Sequence, residues 1–368
     1  MSRNMKRQRP KFLGWGCCLA LVAGICQGGG AAAASGRWSV LDSPALSSSP
    51  AARPFLLSGA RAGNRLVVAG ERGILFLSDD NGQTWRQAAV PVGVSITAVR
   101  FATPRRGWAV GHFGVVLQTE DGGETWRKQL DGVAAARLLL EDALRRTGSD
   151  RSDDAVRWAE RMVKDGPDKP FLDLLILGER SALVVGSYGL AFRTDDAGAR
   201  WEPSVAAIAD NRHLHLNAVS TMQGNGTVFV VGEQGTVLRS GDAGASFETL
   251  NSPYEGSFFS VLATSPKDVL IFGLRGNAFQ SSDGGVTWAP LDLKSGATLT
   301  SAIALRDGGV LVADQGGQLF RREAGSSRFA PVESPVRLPL AGLVEAANGT
   351  VLGVGPAGVL PVYSPLSR

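Results

Sequence analysis

The sequence predicts an all-β protein, a seven-bladed β-propeller of four-stranded blades, and three observations carry that reading. The first is a period: a recurring glycine bracket has its second member at Gly73, Gly114, Gly189, Gly235, Gly276, Gly317 and Gly358, with spacings of 41, 75, 46, 41, 41 and 41. The second is a fixed echo of that glycine, because in the first six copies an aromatic stands 12 residues later, at Trp85, Trp126, Trp201, Phe247, Trp288 and Phe329. The third is the content of each unit. In the second copy "SITAVRF", "GWAVGH", "GVVLQTE" and "TWRKQL" are four short runs of strand formers broken by Gly, Pro and Asp. Four strands in about 40 to 45 residues make one propeller blade.

Taken in chain order, the first element is not a blade. Residues 1–11 hold five basic and no acidic residues, "FLGWGCCLALVAGIC" follows as an apolar run, and "AAAAS" supplies small residues for cleavage. This is the pattern of a secretory signal peptide over 1–34, and the apolar run is short for a membrane span. Its removal takes away five of 38 Lys+Arg, leaving 33 against 34 Asp+Glu, so the basic balance of the whole chain does not point to nucleic acid. Cys17, Cys18 and Cys26 leave with it. The expected mature domain, 35–368, then has no thiolate nucleophile, no cysteine metal site and no disulfide. The periplasm is the expected location.

Between copies two and three lies an insertion, 132–170. "AAARLLLEDALRR" has helix-forming composition, and "SDDAVRWAERMVKDGP" opens on capping residues, sets Val156, Ala159 and Val163 on one face and ends on Gly-Pro. The reading is a helical hairpin. The seventh copy is truncated: after Gly358 only "VLPVYSPLSR" remains. Near the other end "GRWSVLDSP" holds a lone Trp38 in a strand-like run, and the expectation is that it supplies the missing outer strand of blade seven, closing the ring and protecting its edge.

The turn before each closing aromatic repeats as Ser/Thr-x-Asp-x-Gly-x-x-Trp/Phe around Asp80, Asp121, Asp196, Asp242 and Asp283. This is the Asp-box, or bacterial neuraminidase repeat. Such an aspartate accepts backbone N–H groups of its own turn while the glycine takes positive φ. Five copies spread around a rim cannot converge on one substrate, so these carboxylates read as structural rather than catalytic. The sixth turn, "RREAGSSRF", has lost the aspartate and keeps Phe329.

Several stretches outside the repeat, "GPDKPFLDLLIL", "HLHLNAVS", "SPYEGSFFSVL" and "FGLRGNAFQSSDGGVTW" among them, make the chain resemble the bacterial branch of the photosystem II assembly and stability factor family. The resemblance extends over nearly all of 36–368. It implies a non-catalytic propeller without cofactor, in which a membrane protein or membrane-protein complex is the partner: a reaction-centre protein or, outside photosynthesis, an RND-type exporter.

Blade geometry places the Asp-boxes on one face and the glycine brackets and blade-to-blade connections on the other, around the channel mouth. Partner-binding candidates there are Arg72, His112, Phe113, Tyr188, Glu233 and Arg275 in the brackets, and His213, Tyr254 and Phe258 on adjoining connections. The Asp-box face offers Arg105 and Arg106 as a competing surface. The rival class is a glycoside hydrolase of sialidase type, for which Tyr188 and Glu233, on adjacent blades, would be nucleophile and activating carboxylate. His213 and His215, two apart in an expected inner strand, with His112 nearby as a conceivable third ligand, read as packed histidines with no metal.

Overall fold

The computed structural model describes residues 38–146, 152–204, 212–221, 226–265 and 267–365. The expected signal peptide and the three cysteines lie outside these, and Trp38–Arg368 forms one compact unit. Among the described residues no helix is long and apolar enough to cross a membrane.

Seven antiparallel sheets follow one another along the chain, each a meander in sequence order, at 56–87, 96–130, 171–203, 216–249, 258–290, 299–332 and 342–363. The first six have four strands. The second strand of each is buried along its length, as in Gly107–Gly111 and Val228–Gly232, because it lies between the sheets on either side. The innermost strand lines a central channel of about 660 Å³, and in blade one its burial alternates residue by residue. Apolar side chains pack in clusters between adjacent sheets rather than in one core, as a ring of stacked sheets requires.

Each Asp-box turn is a closed hydrogen-bond unit. In the first, Ser78 Oγ donates to Asp80 Oδ1 (2.7 Å) and accepts from the Gly82 N–H (2.8 Å); the Thr84 N–H and hydroxyl donate to the two Asp80 oxygens (2.9 and 2.6 Å). The Trp85 indole N–H then donates to Gly82 O (3.0 Å). The carboxylate bonds recur around Asp121, Asp242 and Asp283, and the indole bond recurs at Trp126, while Asp196 accepts the Arg200 N–H and the Thr194 hydroxyl. Donors from its own turn, the residue-84 hydroxyl first, hold the Asp80 carboxyl down at about 2, and equivalent hydroxyls from Ser246 and Thr287 do so for Asp242 and Asp283.

These turns also make the seams. The Asp-box glycine, at positive φ, faces the preceding blade so closely that a Cβ on Gly82 would stand 2.7 Å from Leu352 of blade seven, one on Gly123 3.2 Å from Leu77, and one on Gly285 2.5 Å from Leu250. A side chain of the preceding blade donates back to a turn carbonyl: Arg65 to Gly122 O, Gln118 to Ala197 O, Arg193 to Ala243 O and Arg239 to Gly284 O.

Blade seven departs from expectation. Among the described residues its sheet has three strands, and the segment beginning at Trp38 is not its fourth. Ser39–Leu41 is instead a 3-10 turn in the seam of blades one and two, with Leu41 buried there. The chain then runs across the bracket face: Val40 O accepts the Gly93 N–H, the Ala45 N–H donates to Val90 O, and the Leu46 N–H donates to Arg72 O. The physical reason is that "WSVLDSP" carries apolar groups that an apolar seam buries better than an exposed outer edge would. Blade seven meets blade one through the ordinary seam contacts, Gly82 against Leu352 and the Asn348 N–H donating to Asn81 Oδ1 (3.2 Å).

The insertion forms two helices, α1 (Gly132–Arg145) and α2 (Asp153–Asp165), capped by Asp131 and Ser152 side chains. On α2 the buried face is Trp158, Ala159 and Met162, and Val163 is exposed, so the predicted face was rotated by about one position. The large indole and thioether outcompete two valines for the apolar site.

Two outcomes follow. Leu41→Ala should lower unfolding free energy by about 2–5 kcal/mol, read by urea denaturation; an unchanged midpoint would mean that the segment does not dock in the seam. Because Asp80, Asp242 and Asp283 have folded values near 2 against an ordinary 3.8, they stabilise the fold fully above about pH 4, and that contribution drains away as pH falls through 2. Replacing all three by Asn should therefore weaken the protein at neutral pH and flatten its stability profile between pH 4 and 2.

Candidate functional site: the bracket face

In blades one to five the brackets are type I′ turns. Arg72, Phe113, Tyr188, Gln234 and Arg275 all have left-handed backbones, with φ between 49 and 58°, and each precedes a glycine that is also at positive φ. That glycine is obligatory, since the next connection's backbone lies against it: a Cβ on Gly276 would be 1.9 Å from Ser295 O, and one on Gly73 2.1 Å from Val92 O. The apex residue ahead of it is thereby turned outward. Arg72, Tyr188, Gln234 and Arg275 are exposed, as is His112, while Phe113 is half-buried against Trp38 at 6.1 Å between ring centres. In the sixth copy Asp314 replaces the first bracket glycine and ties the turn by accepting the Gly316 and Gln318 N–H groups.

Glu233 has a backbone task. Its Oε2 accepts the His215 N–H at 3.0 Å and its Oε1 lies 3.4 Å from His215 Nδ1, while Glu71 accepts the Phe55 N–H at 3.0 Å in the same way in blade one. Both glutamates cap the start of an inner strand. Tyr188 meets the same imidazole edge-on at 5.2 Å, so Tyr188, His215 and Glu233 form one cluster between blades three and four.

His213 is not in a strand. It has φ 52°, the inner strand of blade four begins at Leu216, and its ring stacks on Trp158 of α2 at 4.6 Å and 3°. His213 and His215 therefore do not share the face of a strand. Trp38 covers the C-terminal end of α2, where a Cβ on Gly166 would be 2.9 Å from its ring. The hairpin is thus pinned to the bracket face at both sides. Among the described residues no group of three His, Cys, Asp or Glu side chains is placed to hold a metal.

Two further candidates move. Phe258 is fully buried between blades four and five, because it opens the inner strand on its sheet-facing side, and it cannot present itself to a partner. Its neighbour Phe259, 37% exposed, lines the channel instead. Tyr254 is half-buried with its ring packed on Phe258 and Phe279. On the opposite face Arg105 is exposed, but Arg106 is half-buried and bonded to Glu120 and Glu179 O. Trp158, His215 and Phe259 were not singled out for this face from sequence. Alternation in "GSFFSVL" was the available signal for Phe259, since adjacent strand residues face opposite ways.

The turn geometry makes a contrast. Arg275→Gly should be close to neutral, because about 1 kcal/mol of left-handed strain relieved is offset by about 0.5–1 kcal/mol of added unfolded-chain freedom. Gly276→Ala should cost clearly more than about 1 kcal/mol. Paired chemical denaturation checks both, and equal effects would refute the turn assignment.

Comparison with known proteins bears on the same elements. The family model for photosynthesis system II assembly factor YCF48 matches residues 77–140 and 152–337, from the first Asp-box through blade six. No curated protein matches the chain. Among solved structures, YCF48 bound to a D1 peptide aligns at 17% identity over 87% of this chain and 99% of that one, with a TM-score of 0.62. YCF48 from Cyanidioschyzon merolae aligns at 15% identity over 84% and 96%, with a TM-score of 0.61. The WD40 propeller domain of Doa1, at 7% identity over 89% and 97%, reaches 0.62, so these superpositions speak for the propeller and the family match speaks for descent. The chain belongs to the photosystem II assembly factor YCF48 family.

Proposed function

We propose that this chain is a non-catalytic, exported propeller that holds an exposed segment of a membrane protein during assembly or maintenance of its complex. The observation that carries this reading is the bracket face: rigid turns hold Arg72, Tyr188 and Arg275 outward around the channel mouth without spending them on the fold. Aromatic and arginine side chains on a preorganised surface are what binding interfaces use for affinity. The family supports the same reading, and a relative is known with a D1 peptide bound. In a photosynthetic host the partner would be a reaction-centre protein, and elsewhere an RND-type exporter is the proposed client. The basic, apolar and small-residue order of residues 1–34 supports a periplasmic location.

The sialidase-type alternative draws on the proximity of Tyr188 and Glu233, but the Glu233 carboxylate is engaged by the His215 N–H and imidazole. Arg72 and Arg275 belong to blades one and five, which does not favour a common carboxylate clamp.

Replacing Arg72, Tyr188 and Arg275 together by alanine should leave the fold nearly intact, at no more than about 0.5 kcal/mol each. Capture of the membrane-protein partner, identified by crosslinking in intact cells, should fall about tenfold or more. Arg105→Ala/Arg106→Ala should do much less. The reverse order would move the site to the Asp-box face, and turnover of a fluorogenic sialoside abolished by Glu233→Gln would establish an enzyme.

A further inference from the structure

The channel has its own design. In the inner strands of blades one to six the register slips once, and the residue left unpaired by this bulge is Leu57, Thr97, Leu172, Asn217, Phe259 and Thr300 in turn. All six line the channel near its bracket end. Even-numbered blades place polar residues here, and these are satisfied across the seam: Thr97 Oγ1 donates to Phe171 O (2.7 Å), Asn217 Nδ2 to Phe258 O (2.8 Å) and Thr300 Oγ1 to Leu340 O (2.9 Å). Odd-numbered blades place Leu57, Leu172 and Phe259 here, so the surface offered to a ligand at this level is an apolar collar.

Directly beyond the collar lies the Arg100 guanidinium. It bonds Ser58 Oγ (3.2 Å) and Asp173 Oδ1 (3.0 Å), the residues that follow Leu57 and Leu172, yet its side chain remains 40% exposed. Asp173 Oδ2 is occupied by the Val219 N–H at 3.1 Å. Among the lining residues Arg61, Arg100 and Asp173 are the ionisable ones, giving the channel one net positive charge.

We propose that the central channel binds an organic carboxylate bearing a branched aliphatic or aromatic group, the carboxylate on Arg100 and the apolar group in the Leu57, Leu172 and Phe259 collar. A cavity of about 660 Å³ has the size of a small-ligand site, and its mixed lining combines the apolar collar with polar groups and a convergent cation. A half-exposed guanidinium still has an open aspect from which to donate to a carboxylate in a charge-assisted bond. A free small acid and the carboxyl end of a polypeptide share this chemistry. The site is separate from the outward-facing turn residues of the proposed partner surface.

Calorimetric titration of the purified chain tests it with phenylbutyrate, its amide, and a tripeptide ending in phenylalanine as free acid or amide. The acids should bind, and amidation should weaken binding at least about tenfold. Binding by the small acid alone assigns a free metabolite, and tighter binding by the peptide acid assigns a chain end; both uphold the site. Arg100→Gln alone would strand the buried Asp173, so the variant is Arg100→Gln/Asp173→Asn, alongside Phe259→Ala on the exposed ring. Each should reduce acid binding about tenfold, whereas the Arg72, Tyr188 and Arg275 triple variant should bind the acids as the unaltered chain does. No binding by any acid, equal binding of acid and amide, or unaltered binding by both channel variants would overturn the proposal.

Discussion

Everything in this molecule depends on the contact between an Asp-box glycine and the blade before it. A ring of sheets closes only if each seam holds the same separation and tilt, and a glycine without a Cβ, pressed within van der Waals range of Leu352, Leu77 or Leu250, fixes both. The aspartate makes that possible indirectly. By absorbing the N–H and hydroxyl groups of its own turn it presents the glycine rigidly, and in blades one and two the closing tryptophan bonds back to the glycine carbonyl. The preceding blade's arginine or glutamine completes the seam from the other side.

The opposite face solves a different problem with the same economy of residues. A two-residue left-handed turn needs glycine at its second position, and this leaves the first position with few packing obligations, Phe113 against Trp38 being the main one. Its side chain has to point outward, whatever it is. Fold and recognition are therefore carried by different residues of one short motif: glycine for the ring, its neighbour for the surface. The same separation runs along the inner strands, where the bulged residue of an even blade spends its polar group on the neighbouring blade and that of an odd blade offers only carbon to the lumen.

The blade count, the meander order, the Asp-box turns and the helical hairpin were legible because they are periodic or compositional. A 41-residue spacing and a 12-residue echo survive any change in side-chain detail. What was not legible depended on single choices between two burial sites. Trp38 and Leu41 carry apolar groups that suit either a strand edge or a seam, and only the three-dimensional seam decides between them. Phe258 and Phe259 are chemically the same residue twice, and strand parity sends one into the blade and the other into the channel. Likewise Glu233 looked like a reactive group in sequence and proved to be an amide cap, a role defined by a backbone N–H that no motif advertises.

The left-handed apex positions have an evolutionary consequence. Since each side chain there is presented by a turn whose geometry it does not determine, one residue can replace another with little effect on the ring. A lineage can therefore revise what the protein recognises one blade at a time without passing through unfolded intermediates. Divergence of clients across a family would then be recorded in a handful of scattered positions, while the glycines and aspartates around them stand still.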